Sequence, residues 1–132
     1  MGRQTALYFG LIGLFWSLLG VAYAGQVSPL QVVDLRFGTV VENRELQEEG
    51  KLFPYEVGRV YAWTLVQGAE QPTTITHVWY VDEKKVAEVQ LPIRYKRHRT
   101  WSSKKIWPGE WRVEVLDAEG NLLAMGTFTV EK

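Results

Sequence analysis

The sequence predicts an all-β fold: an antiparallel, immunoglobulin-like β-sandwich of about seven strands behind an N-terminal signal segment. Three observations predict it. Short runs that alternate apolar or aromatic residues recur along the chain, clusters of turn formers separate them at roughly 8–12 residue intervals, and helical periodicity is nowhere sustained. The chain has no cysteine, so the disulfide of true immunoglobulin domains is missing and the likeness is one of architecture.

Residues 1–24 open with Arg3, run through an apolar block from Ala6 to Leu19 and reach Ala22-Tyr23-Ala24 before Gly25. A positive start, an apolar middle and a small-x-small end are the parts of a secretory signal peptide, with cleavage expected after Ala24. The alternative is an uncleaved membrane anchor, because no charge interrupts the chain between Arg3 and Asp34 and about 20 apolar residues span a bilayer. Gly10, Gly13, Gly20 and the Ala-x-Ala site weigh against it. Cleavage implies a periplasmic or secreted protein; anchoring implies a domain facing outward from the cytoplasmic membrane. Residues 25–30, with Ser28-Pro29, read as a tether, and residues 31–132 as one β-sandwich domain.

The first strand is expected from Val32 to Phe37, continuing toward Val40-Val41. The acidic stretch from Glu42 to Gly50 reads as a solvated connection or a short helical turn. From Gly58 to Val66, Val60, Ala62, Thr64 and Val66 alternate with Tyr61, Trp63 and Leu65. Both sets are apolar, which marks a central strand. Thr73 to Val81 alternates Ile75, His77, Trp79 and Val81 against Thr76, Val78 and Tyr80. A polar turn at Asp82-Glu83-Lys84-Lys85 leads into Val86 to Ile93, a strand with one wet face. Arg97 to Ile106 is the next strand. Trp107-Pro108-Gly109-Glu110 has the residues of a type II turn, Trp111 to Leu116 follows, and after Asp117-Ala118-Glu119-Gly120-Asn121 the run Leu122 to Val130 closes the domain.

Composition excludes several function classes. The formal net charge is +0, against the basic excess of nucleic-acid binders. Without cysteine there are no disulfides, thiolate metal sites, c-type haem attachment or lipid-modified cysteine. Stability therefore rests on the core alone. His77 or His98 could serve as base to Ser102 or Ser103, with Asp82 or Asp117 orienting the ring, but no nucleophile motif accompanies them. No catalytic residue, metal site or cofactor is expected. Asp117, Glu119 and Asn121 fail the order and length of a calcium loop and read as a hairpin turn. His77 reads as a hydrogen-bonded, partly buried residue.

The informative stretch is Arg97 to Lys105 with Trp107 and Trp111, where cations alternate with aromatics at strand spacing. It reads either as a self-stacking ladder or as an exposed binding surface. Trp63, Trp79 and Trp111 lie in the most apolar runs and are expected in the core. Arg99 and Arg112 are expected to stack on Trp101 and Trp111. The ligand-contact set is Trp101, Trp107, Lys104, Lys105, Arg94 and Lys96, in which indoles suit sugar rings and cations suit anionic groups.

Val60-Tyr61-Ala62-Trp63-Thr64, His77-Val78-Trp79-Tyr80, Arg99-Thr100-Trp101-Ser102-Ser103-Lys104 and Gly109-Glu110-Trp111-Arg112-Val113-Glu114-Val115, then Gly120, Leu122-Leu123 and Phe128, resemble the bacterial domain-of-unknown-function family 2914. The resemblance covers roughly Phe53 to Val130 and implies a small exported or membrane-tethered domain. It carries no established chemistry. The expectation is a noncatalytic module for a cell-envelope glycan or another envelope component; the alternative is an assembly protein making envelope protein contacts through a strand edge. No nucleic-acid partner is expected, membrane contact runs only through an uncleaved N-terminal segment, and the oligomeric state is open.

Overall fold

The computed structural model describes residues 29–132, so the expected signal segment at 1–24 and most of the tether at 25–30 lie outside the described residues. Among the described residues there are nine strands: β1 (Gln31–Glu42), β2 (Glu45–Glu49), β3 (Leu52–Pro54), β4 (Arg59–Gln67), β5 (Thr73–Val81), β6 (Lys84–Ile93), β7 (Arg97–Lys105), β8 (Gly109–Leu116) and β9 (Leu122–Glu131). A 3₁₀ turn, Tyr55–Val57, joins β3 to β4. Among the described residues no helix is long and apolar enough to cross a membrane.

The strands form two sheets, one in the order β2-β1-β4-β7 and the other in the order β3-β9-β8-β5-β6. Neighbours are antiparallel except β3 and β9, which run parallel. The layout of β1-β4-β7 against β9-β8-β5-β6 is that of an immunoglobulin-like sandwich. The two strands beyond the expected seven are β2 and β3. β2 buries only Leu46 and β3 only Phe53, so neither carries an apolar alternation that the sequence would display.

Strand alternation turns Val60, Ala62 and Val66 of β4 toward Ile75, Trp79 and Val81 of β5, Trp111, Val113 and Val115 of β8, and Phe128 and Val130 of β9. They pack as two apolar clusters. One gathers Trp79, Trp111 and Phe128, with Trp79 edge-on to Trp111 at 6.2 Å and Trp111 stacked on Phe128 at 5.7 Å. The other gathers Val66, Ile75, Ile93 and Val115. These indoles supply the burial that a domain without disulfides needs, and truncating a core Trp costs about 3–5 kcal/mol.

Two hairpins turn on paired residues with positive φ, Asn43-Arg44 and Asp82-Glu83, the conformation that two-residue hairpins demand. The first corrects the expectation of a solvated connection at 42–50. β1 pairs with β4 only as far as Gly38↔Tyr61, while its pairing with β2 begins at Gly38↔Glu49. The outer half of β1 thus leaves β4 and returns with β2 as a flap over the outer face of the sheet. There Leu46 packs on Trp63 and Leu65, with Tyr61 and Trp101 beside them. The turn before β8 also differs from the expected type II. Gly109 has φ 151°, the Glu110 amide donates to Asp82 Oδ1, and the Trp107 carbonyl accepts from Trp111 Nε1.

Candidate functional site

Trp63 is buried, but on the outer face of its sheet rather than between the sheets, and the flap is what covers it. Its Nε1 donates to the Arg44 carbonyl at 3.0 Å, and the Arg36 guanidinium lies 4.6 Å over its ring. Trp101 is the cross-strand neighbour of Trp63. The cation over Trp101 is Arg44, at 5.2 Å, not Arg99; Arg99 is drawn instead to the Glu45 carboxylate. Arg112 does not stack on Trp111 either. Consecutive strand residues point to opposite faces, so Arg112 lies outward, 4.1 Å over Tyr80 and paired with Glu83 and Glu114.

At one end of β7 the chain builds a cationic cleft. Arg44 reaches it from the flap, Arg94 and Tyr95 from the β6–β7 turn, and Arg97, His98 and Arg99 from β7; its volume is about 470 Å³. Arg44 donates to the Arg99 carbonyl at 2.6 Å, and Arg97 donates to Gln67 Oε1 at 3.4 Å. Arg99 has Glu45. Among the described residues, Arg44, Arg94 and Arg97 have no carboxylate partner. His98, 7% exposed, accepts the Arg94 amide proton on Nδ1 at 3.0 Å and stacks on Tyr95 at 5.2 Å. Burial lowers its pKa from the usual histidine value, and the charges of Arg44 and Arg94 act in the same direction. The ring is held neutral, and the positive charge of the cleft belongs to the guanidinium groups.

The expected contact residues divide between two places. Arg94 and Trp101 lie together, sharing a pocket that adjoins this cleft. Lys96 is exposed in the same β6–β7 turn, and its carbonyl accepts from the Gly68 amide. Lys104, Lys105 and Trp107 belong to the opposite end of β7, since Arg97 pairs with Gln67 and Lys104 with Val60, seven residues or roughly 23 Å along the strand. There Trp107, 39% exposed, rests edge-on against Trp111 at 5.0 Å with the Lys104 ammonium 5.0 Å over its ring. Arg44, Tyr95 and Arg97 are absent from the expected contact set. The signal for Arg44 was Asn43 between two alternating runs, a hairpin marker masked by the surrounding glutamates.

The histidine and serine weighed above as a catalytic pair do meet, inside the sandwich. His77 Nδ1 lies 2.6 Å from Ser102 Oγ, His77 Nε2 lies 3.3 Å from Thr64 Oγ1, and Trp79 Nε1 donates to Ser102 Oγ at 3.0 Å. His77 is fully buried, not partly. No group of three or more His, Cys, Asp or Glu among the described residues is placed to hold a metal ion.

A family likeness falls on the segment from β5 to β9. Residues 72–130 match the model of a family described as "Protein of unknown function (DUF2914)". The DUF2914 match is the family the sequence motifs resemble, and it takes in Arg94, Tyr95, Arg97, Arg99 and Trp101. It starts after Val60-Tyr61-Ala62-Trp63-Thr64, so β4 and the flap bearing Arg44 precede the DUF2914 stretch. No curated protein matches the chain. Among solved structures, a beta-glucosidase from Kluyveromyces marxianus is similar to 78% of this chain at 10% identity and a TM-score of 0.46. The chain spans only 14% of that enzyme's length.

Proposed function

We propose that this chain is an exported, noncatalytic β-sandwich module that binds an anionic cell-envelope glycan, or another anionic envelope component, in the cleft between Arg44, Arg94 and Arg97. One observation carries the reading: three guanidinium groups without carboxylate partners among the described residues converge on one cleft, in a chain of otherwise balanced charge. An arginine presents its donors as a fixed fork that suits carboxylate and phosphate oxygens, and the exposed Tyr95 ring beside them offers flat apolar surface to a sugar. The Arg3 to Ala24 pattern supports export. The buried setting of His77 and Ser102 supports a noncatalytic domain, since neither group is accessible to a substrate.

The test is titration of the full chain with a panel of acidic and neutral envelope polysaccharides, read by tryptophan fluorescence at low and high salt. Saturable, salt-sensitive binding that Arg94→Ala and Arg97→Ala weaken supports the module. Binding left unchanged by both variants removes the cleft from consideration, and silence across the panel favours an assembly protein.

A further inference from the structure

The cleft has a second compartment. Arg44, Arg94, His98 and Arg99 also line an adjoining pocket of about 200 Å³, into which Trp101 enters, while Tyr95 and Arg97 belong to the larger one. The two pockets thus share a wall of arginines, with one aromatic residue on either side. Resting on the binding-module reading, we infer that this shared wall takes a phosphate group carried on a saccharide, the adjoining sugar ring lying on Tyr95.

Geometry favours phosphate over carboxylate. A carboxylate is planar and a single guanidinium fork can satisfy it, and the one carboxylate at this cleft, Glu45, pairs with Arg99 alone. The remaining forks come from separate segments: Arg44 at the flap tip and Arg94 in the β6–β7 turn stand on the shared wall, and Arg97, the first residue of β7, reaches in from the larger pocket. Donors arriving from several directions suit the oxygens of a tetrahedral phosphate, and no lysine lines either pocket. The carrier is assigned from the flanks. Tyr95 is 65% exposed yet held flat against His98, at an interplanar angle of 26°, so its outer face is a ready platform beside the arginines. Trp101 marks the other side of the wall. A sugar attached to the phosphate has a ring to lie on, whereas a free ion has no use for one.

The test is calorimetric titration of the full chain at fixed ionic strength with four probes: a phosphodiester-linked glycan, a polyuronate of similar length, inorganic phosphate, and phosphatidylglycerol vesicles. The phosphodiester glycan is expected to bind about tenfold or more tighter than the polyuronate, with inorganic phosphate as a weak competitor. Tyr95→Ala is expected to weaken the glycan about tenfold while leaving inorganic phosphate unchanged, and Arg94→Ala to weaken both. Arg94 and Tyr95 are exposed, and a matching unfolding curve checks that each variant folds. Equal binding of the polyuronate overturns the phosphate assignment and leaves the binding module standing. Vesicles binding tighter than the glycan overturn the saccharide carrier. Failure of every probe to bind overturns both inferences.

Discussion

The Ser102 hydroxyl and His77 Nδ1, 2.6 Å apart, form the middle link of a one-way hydrogen-bond chain through the sandwich. Thr64 Oγ1 spends its proton on the Thr100 carbonyl at 2.7 Å, so it accepts from His77 Nε2–H. Nδ1 is then the acceptor, Ser102 donates to it, and the Ser102 oxygen receives the Trp79 indole proton. Every donor has an acceptor when the imidazole is neutral. The chain joins β4, β5 and β7 between the two apolar clusters and fixes how the sheets face each other. Ser102→Ala is expected to destabilise the domain by about 2–4 kcal/mol, because it strands both the Trp79 donor and the His77 acceptor. Urea unfolding measures the loss. Labelling of Ser102 by a serine-directed phosphonate would contradict this structural role.

The same network sets a pH dependence. Burial lowers the His77 pKa from 6.5 to about 4, so between these values the unfolded chain binds a proton that the folded chain refuses. Stability is therefore complete above pH 6.5 and falls as the pH drops toward 4, by roughly 3 kcal/mol over the window. His98, whose pKa is also lowered, contributes with the same sign. Unfolding free energies measured across this window in the wild type and in His77→Gln give the check; the variant is expected to start less stable and to show a shallower slope.

Gly38 marks where β1 leaves β4 for the flap. A Cβ there would sit 2.5 Å from the Gln47 carbonyl oxygen and 2.9 Å from Leu46 Cδ1, and the backbone oxygen cannot swing aside. Gly38→Ala is expected to cost about 1–3 kcal/mol through overpacking and to lift Leu46 from Trp63. The accompanying sign is a red shift of tryptophan emission as Trp63 meets water.

Much of the fold was legible because alternation is a local property. Ile75, His77, Trp79 and Val81 announce their shared inward face, and Trp79 and Trp111 lie where their apolar runs place them. The flap was not legible: Glu45 to Glu49 buries one side chain, and what Leu46 covers is set by tertiary packing. For the same reason, spacing brought Arg99 and Trp101 to one face but could not show that Glu45 would take the guanidinium and Arg44 the ring. Arg112 was legible in principle, since adjacency to Trp111 in a strand forbids stacking. The cleft was half visible, its β6–β7 part lying in one run of sequence and its flap arginine some fifty residues earlier.

Asp117 organises the turn before β9. Its Oδ1 accepts from the Glu119 and Asn121 amides at 3.0 and 2.8 Å, and Oδ2 accepts from Asn121 Nδ2 at 3.0 Å. A buried carboxylate that accepts these turn donors has a structural use for both oxygens. Asp117→Ala is expected to cost about 1.5–3 kcal/mol, and added calcium to leave the melting temperature of the wild type unchanged. A rise on calcium addition would reassign the turn.

Arg44 joins the flap to the cleft by three contacts: its carbonyl accepts from Trp63 Nε1, its guanidinium donates to the Arg99 carbonyl, and the same group covers Trp101. Only the last two depend on the side chain, so Arg44→Ala removes them while the backbone acceptor for Trp63 stays. The side chain works at an exposed rim, where such contacts contribute about 1 kcal/mol or less. Arg44→Ala is therefore expected to leave global unfolding nearly unchanged but to speed amide exchange across residues 39–49, because the flap tip loses its anchor to β7. Ligand affinity gives the second readout. If Arg44 contributes charge as well as order, Arg44→Lys restores part of the binding without restoring slow exchange, since an ammonium supplies the charge but not the planar group that covers Trp101.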